Sequence, residues 1–141
     1  MLAKVDPSVA DRVLAEPDAV ERIWPEDGVV DADLGIDPEG DRFEEDFLYL
    51  GRFLAGEEDT GGRDVTWLTR ASQGTGTEVA HEFGYGAGFV VPAAEVPEVA
   101  EGLVAEGWSG GREDGETVAH ALVDFYAAAA REGKAVVGGV A

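Results

Sequence analysis

The sequence predicts a single α+β domain over residues 1–141, in which an antiparallel or mixed sheet packs with about four to five helices. Three observations point to this class. Apolar residues alternate with polar ones in some segments and recur at helical spacing in others. These segments do not follow the strict strand–helix–strand order of a parallel sheet. The chain has 141 residues, 45% of them hydrophobic, and no internal repeat, which is enough for one core.

The first elements are a short strand and two helices. Residues 2–5 suit a strand, and Asp6 is placed to cap a helix that has Pro7 in its first turn, where the missing N–H costs nothing. The helical spacing of the apolar residues ends at Pro17. A second short helix is expected from Pro17 to Trp24, because another proline follows directly.

The middle of the chain predicts an acidic loop, a helix and a strand. Residues 25–42 contain Asp-Gly and Asp-Pro pairs, which are typical of turns. From Phe43 the apolar residues recur at i, i+4, i+7 and i+11, on one face of a helix that Gly56 is placed to end. Residues 65–70 alternate with period two and predict a strand.

The remaining segments predict a hairpin, two helices and a last strand. Strands near residues 77–83 and 87–91 are separated by a glycine-rich turn, as in an antiparallel hairpin. A helix is expected to follow and to end at about Glu106. Another helix spans about 116–132, and residues 134–140 predict an apolar strand.

Four windows of the sequence carry a family resemblance. They are 13–18, 43–56, 85–96 and 125–136. The most specific parts are Tyr85-Gly86-Ala87-Gly88 and a helix-to-strand junction composed of Phe125-Tyr126, Ala128-Ala129 and Gly133-Lys134. With these motifs the chain resembles the YfbM-like family of bacterial proteins.

The resemblance implies a small cytoplasmic bacterial protein with an α+β fold and no assigned reaction. The family tends to carry Trp-His and Arg where this chain has Phe47, Leu48 and Phe89. A polar site built from those family residues is therefore not expected in this chain.

Charge is the most unusual property of the composition. Thirty acidic residues against ten Lys and Arg give a formal net charge of −20. This charge argues against nucleic acid as a partner, because phosphate binding needs a basic surface. The chain has no cysteine and no apolar run of the roughly 20 residues that span a membrane. The N-terminus lacks the apolar core of a signal peptide, so a cytoplasmic location is expected.

Motifs for metals, nucleotides or nucleophilic catalysis fail in their details. An EF-hand loop counted from Asp31 would need an acid where Gly35 stands, a glycine at Ile36 and an acid at Arg42. The Gly-x-Gly-x-Gly run at 84–88 leads into a strand rather than a helix, unlike a dinucleotide fingerprint. No serine lies in a nucleophile-elbow motif. We therefore expect no metal, no cofactor and no catalytic residue of these classes.

The leading functional hypothesis is a non-enzymatic binding module for a basic protein, similar to an antitoxin or an inhibitor. Ten acids and one arginine lie between Glu26 and Asp46. Complementary charge of this density speeds encounter and restricts the choice of partner. A compositional bias of the whole chain is the competing explanation for the acidity. The candidate partner-face residues are Asp31, Asp33, Asp37, Asp41, Glu44 and Glu45.

The alternative hypothesis is a small-molecule-binding protein or an enzyme. Its pocket would lie near the 84–88 turn and the C-terminal helix, with His81, Tyr85 and Tyr126 as converging polar groups. A histidine between Val79 and Phe83 on a strand is more typical of a core position. A second histidine, His120, lies between Glu116 and Asp124 in an i, i+4, i+8 row on the last helix. This row is expected to be a solvated helix face, and a divalent-metal site is the alternative.

Overall fold

A five-stranded antiparallel sheet organises the fold. The computed structural model describes residues 1–44, 47–57, 59–83, 86–110 and 116–139. The strands are β1 (Leu2–Val5), β2 (Arg42–Phe43), β3 (Thr77–Phe83), β4 (Gly86–Val91) and β5 (Ala135–Gly138). Their order across the sheet is β2-β1-β5-β4-β3, so the first and last strands of the chain meet at its centre.

Helices and short 3₁₀ segments connect the strands. The α-helices are α1 (Pro7–Ala15), α2 (Phe47–Leu54), α3 (Thr66–Gln73), α4 (Val96–Glu106) and α5 (Glu116–Arg131). The 3₁₀ segments are Pro17–Arg22, Ala32–Leu34 and Trp108–Gly110. Asp6 is the N-cap residue of α1 as predicted, although its side chain makes no capping hydrogen bond. No helix within the described ranges is long and apolar enough to cross a membrane.

The sheet separates two apolar clusters. Val136 of β5 belongs to the cluster formed with α2, α3, α4 and α5, whereas its neighbours Ala135 and Val137 belong to the cluster formed with α1 and the segments 17–22 and 32–36. Successive side chains of a strand point to opposite faces of a sheet. The two clusters therefore lie on opposite faces, and helical segments cover both. The predicted α+β class is confirmed.

The predicted strand at 65–70 is wrong, because this segment forms α3. Its buried residues are Leu68, Ala71 and Ser72, which have the i, i+3, i+4 spacing of a helix face. The first turn of α3 is capped from a distance: the carboxylate of Glu106 accepts hydrogen bonds from the N–H groups of Trp67 and Leu68, at 3.0 and 3.2 Å. A short alternating run predicted a strand, but packing against α4 decided for a helix.

Two other predicted elements differ from the structure in extent or type. The short helix expected from Pro17 is a 3₁₀ helix that ends at Arg22. The helix expected from Phe43 begins at Phe47, and Phe43 instead belongs to β2, where it pairs with Leu2. A two-residue strand carries no readable periodicity, and only its pairing with β1 defines it.

Candidate functional site

We define the acidic loop as residues 26–44, which extends the loop predicted at 25–42 through β2 to Glu44. Apolar residues fix this segment to the body of the protein. Leu34 and Ile36 are buried in the cluster that also contains Val13 and Val20. Gly35 lies between them with a φ of 64°, in the left-handed region that favours glycine, and it ends the 3₁₀ turn of residues 32–34. The backbone of the loop therefore has a defined path.

Asp31 fixes the loop near its first half. Its Oδ1 accepts a hydrogen bond of 3.0 Å from the N–H of Asp33 and caps the 3₁₀ turn, while Oδ2 pairs with Arg22. The hydrogen bond from Arg22 is the largest cause that holds the pKa of Asp31 below its ordinary value, and the N–H of Asp33 adds to it. Asp31 therefore joins the loop to the segment 17–22, and its carboxylate is already partly occupied by contacts within the protein.

Asp41 fixes the other end of the loop and is buried. Its Oδ1 lies 3.5 Å from the Nζ of Lys4 and 3.4 Å from that of Lys134, and its Oδ2 accepts a hydrogen bond of 2.8 Å from the N–H of Asp37. Glu132 also pairs with both lysines. The side chain of Asp41 is only 9% exposed. The prediction that Asp41 belongs to a partner-binding surface is therefore wrong, because it pairs with cations inside the protein.

The environment of Asp41 acts on its pKa in two directions. Burial raises the pKa, since it disfavours the charged form. The hydrogen bond from Asp37 and the positive charges of Lys134 and Lys4 lower it and outweigh burial. The net effect holds the pKa of Asp41 below its ordinary value of 3.8, so Asp41 is a carboxylate at neutral pH.

The carboxylates between these two fixed points face solvent. Asp33, Asp37 and Glu39 are exposed, and none forms an ion pair within the described ranges. Asp37 Oδ1 accepts a hydrogen bond of 3.0 Å from the N–H of Glu39, which orders this turn. Of the other predicted face residues, Glu44 is exposed and lies 3.6 Å from Arg42, and Glu45 lies outside the described residues.

Of the residues predicted to form a pocket, the two that the structure describes, His81 and Tyr126, are not brought together. Tyr126 is fully buried in the cluster of α2–α5, where its hydroxyl donates a hydrogen bond of 2.6 Å to the carbonyl of Ala71 and where burial raises the pKa of that hydroxyl. His81 is half-buried with its ring edge-on to Phe83, a member of the cluster on the other face of the sheet. Tyr85 lies outside the described residues.

Of the row predicted on the last helix, the structure shows the pair of His120 and Asp124, and the side chain of Glu116 lies outside the described residues. Nε2 of His120 lies 3.6 Å from Oδ2 of Asp124. Within the part of the chain that the structure describes, no group of three or more His, Asp or Glu side chains is placed to hold a metal ion. This arrangement is an ordinary i, i+4 pair on a helix.

Two open depressions are lined by residues other than the predicted pocket residues. One, of about 560 Å³, is lined by Glu16, Pro17, Asp18, Ala19, Arg22 and Ala80. The other, of about 490 Å³, is lined by residues 61–64, Thr66, Trp67, Ala105 and Glu106. In the second, Glu106 is already bound to the first turn of α3 and to the indole N–H of Trp108. Its carboxylate therefore has a structural role.

Sequence reasoning missed the ion pairs that position the acidic loop. Lys4 and Lys134 are the two lysines of the chain, and both bind Asp41. One signal was available, since Lys4 lies within an otherwise apolar strand and a charge there requires a partner. Nothing in the sequence indicated which residue that partner is.

Comparison of the chain with protein-family models, with curated proteins and with solved structures yields no match. The resemblance to the YfbM-like family therefore stays a prediction based on the four windows of sequence.

Proposed function

We propose that this chain is a non-enzymatic binding module of the cytoplasm that recognises a basic protein through its acidic loop, in the manner of an inhibitor or an antitoxin. The observation that carries the proposal is the placement of Asp33, Asp37 and Glu39. These three exposed carboxylates lie on a segment fixed at both ends by Asp31 and Asp41.

The fixed backbone matters because ordering a loop costs free energy when a partner binds. Here Leu34 and Ile36 are buried, and Asp41 binds both the N–H of Asp37 and the two lysines. The loop is therefore already ordered in the free protein. Binding of a partner to this loop therefore costs less free energy for ordering the backbone than binding to a flexible acidic tail would.

The charge of the chain supports the same function. A net charge of −20 produces a long-range field that attracts basic proteins and repels acidic ones. Such attraction mainly raises the association rate and weakens as salt shortens the screening length to about 8 Å at physiological ionic strength. Specific contacts must then come from a local, ordered set of carboxylates, which the acidic loop provides.

The proposal is tested by affinity capture with a matched pair of variants. The triple variant Asp33→Asn, Asp37→Asn, Glu39→Gln removes the exposed charges of the loop and keeps hydrogen-bonding side chains. The control variant Asp11→Asn, Glu98→Gln, Glu101→Gln removes the same charge from exposed positions on α1 and α4. Both variants and the parent protein are immobilised and exposed to a lysate of the organism that encodes the chain, at low and at high salt.

The expected result is a basic protein that the parent and the control variant retain at low salt and release at high salt. The loop variant should lose it, because it lacks the local contacts. Equal loss with both variants would mean that only the overall charge matters and would contradict the proposal. Retention by the loop variant would also contradict it.

A further inference from the structure

β3 is an edge strand: no other strand pairs with its outer side within the described residues, and the segment 17–22 packs beside it. The strand has seven residues and lies at the end of the strand order, with β4 as its neighbour. Within the described ranges, the backbone of residues 77–83 has no hydrogen-bonded partner segment besides β4. An edge strand presents unpaired N–H and C=O groups that can pair with another chain. The opposite edge, β2, is only two residues long.

The chemistry of this edge is acidic. Glu78, Ala80 and Glu82 are exposed and alternate with the less exposed Val79 and His81. Ala80 also lines the depression of about 560 Å³, which Glu16 and Asp18 border. Arg22 lies in the same depression, but its guanidinium is paired with Asp31 of the acidic loop. The unpaired edge of β3 and the acidic loop are thus connected through Arg22.

The charges decide which kind of chain can pair with this edge. A second copy would bring Glu78 and Glu82 close to the same residues of its partner, and like charges on paired strands are destabilising. Charged residues on an edge strand are a known protection against such self-pairing. A strand with alternating lysine or arginine would instead place opposite charges side by side.

We propose that the edge of β3 is a docking site for an extended, lysine- or arginine-rich segment of the basic partner, which adds to the sheet as a further strand. This inference rests on the proposed function and names the form in which the partner is recognised. The main-chain hydrogen bonds supply affinity, and Glu78 and Glu82 supply the preference for basic side chains.

The irregularity of β3 defines where pairing occurs. The register with β4 is regular from Thr77 to Val79 and shifts between Val79 and Glu82. A bulge of this kind bends the strand and interrupts pairing locally. We expect the added segment to pair mainly along residues 77–79, with a basic side chain directed at Glu78 and the following one reaching toward the depression beside Ala80.

The test uses a synthetic peptide of about eight residues, the length of an ordinary strand, with alternating lysine and valine. A second peptide has the same sequence with N-methyl groups on alternate amides, which removes backbone donors and keeps every charge. Binding is measured by calorimetry at low and at high salt. Backbone amide exchange over residues 77–83 is followed by hydrogen–deuterium exchange.

Docking at the edge predicts that the first peptide binds and slows amide exchange in β3, and that the N-methylated peptide does not bind. The variant Glu78→Lys, Glu82→Lys should weaken binding of the first peptide by at least about tenfold, or roughly 1.4 kcal/mol. The control Glu98→Lys, Glu101→Lys has the same net charge and should bind several times more tightly than the β3 variant. Circular dichroism checks that both variants keep the parent fold.

Three results would overturn the proposal. The first is an absence of peptide binding. The second is equal binding of both peptides, since attraction would then be a matter of charge alone. The third is self-association of the parent protein with slowed exchange in β3 when no peptide is present, since the occupant would then be a second copy.

The same experiments separate this inference from the proposed function. If the peptide does not protect β3 while the loop variant still loses its captured partner, the edge proposal fails and the binding function stands. If the loop variant keeps its partner while the β3 variant loses it, recognition uses the edge and the role of the acidic loop is wrong.

Discussion

Replacement of Asp41 by asparagine tests the ion pairs that fix the acidic loop. The substitution preserves shape but removes the charge that faces Lys4 and Lys134, at 3.5 and 3.4 Å. Loss of one partner from a buried ion pair costs about 3–5 kcal/mol, because the other charge stays buried. Glu132 still pairs with both lysines, so we expect the lower end, about 3 kcal/mol. This corresponds to a fall in Tm of roughly 10 °C for a chain of this size.

The pH dependence gives the prediction a second, independent measurement. The pKa of Asp41 is held below 3.8 in the folded state, so its charge stabilises the fold above that pH. That contribution is lost as the pH falls through the folded-state pKa, because a protonated Asp41 resembles asparagine. The stability difference between the parent protein and Asp41→Asn should therefore be largest near pH 7 and should shrink below about pH 4.

This difference is measured by urea unfolding of both proteins, followed by tryptophan fluorescence. The series runs from pH 7 down to pH 2.5, about one unit below the ordinary pKa of aspartate, or to the lowest pH at which the fold persists. Asp33→Asn is the matched control, since Asp33 is exposed and forms no ion pair in the described part of the chain. Its effect should stay within about 0.5 kcal/mol. A loss below about 1 kcal/mol for Asp41→Asn, or a loss that does not depend on pH, would refute the reasoning.

Two further substitutions test packing around α3. Tyr126→Phe leaves the buried carbonyl of Ala71, in the last turn of α3, without its hydrogen bond. We expect the free energy of unfolding, measured with urea, to fall by about 1–2 kcal/mol. An unchanged unfolding midpoint would contradict the assignment of this hydrogen bond. Gly102→Ala would place a Cβ 2.1 Å from the ring of Trp67 and should lower Tm. Gly51→Ala on α2 meets no atom within 4 Å and should raise Tm, because alanine has the higher helix propensity. Equal shifts in Tm for both variants would show that helix propensity alone acts.

Much of the fold follows from local patterns in the sequence. The strands at 2–5 and 77–83, the adjoining strand of the hairpin and the last helix have periodicity and turn residues that do not depend on distant contacts. The segment 65–70 has no such clear signal, since apolar and polar residues can alternate by chance over only six positions. Its helical form is stabilised by packing against α4 and by Glu106, a residue about forty positions away that caps its first turn.

The sequence predicted the residue composition of the candidate site but not the spatial arrangement of its side chains. The sequence alone determined that the acidic loop contains a dense set of carboxylates and that the chain has few cations to neutralise them. Only the tertiary structure decided that Asp41 is buried between Lys4 and Lys134 while Asp33 faces solvent. The physical reason is that periodicity is a property of neighbouring residues, whereas the pairing of a charge depends on which remote strands meet, here the first and the last of the sheet.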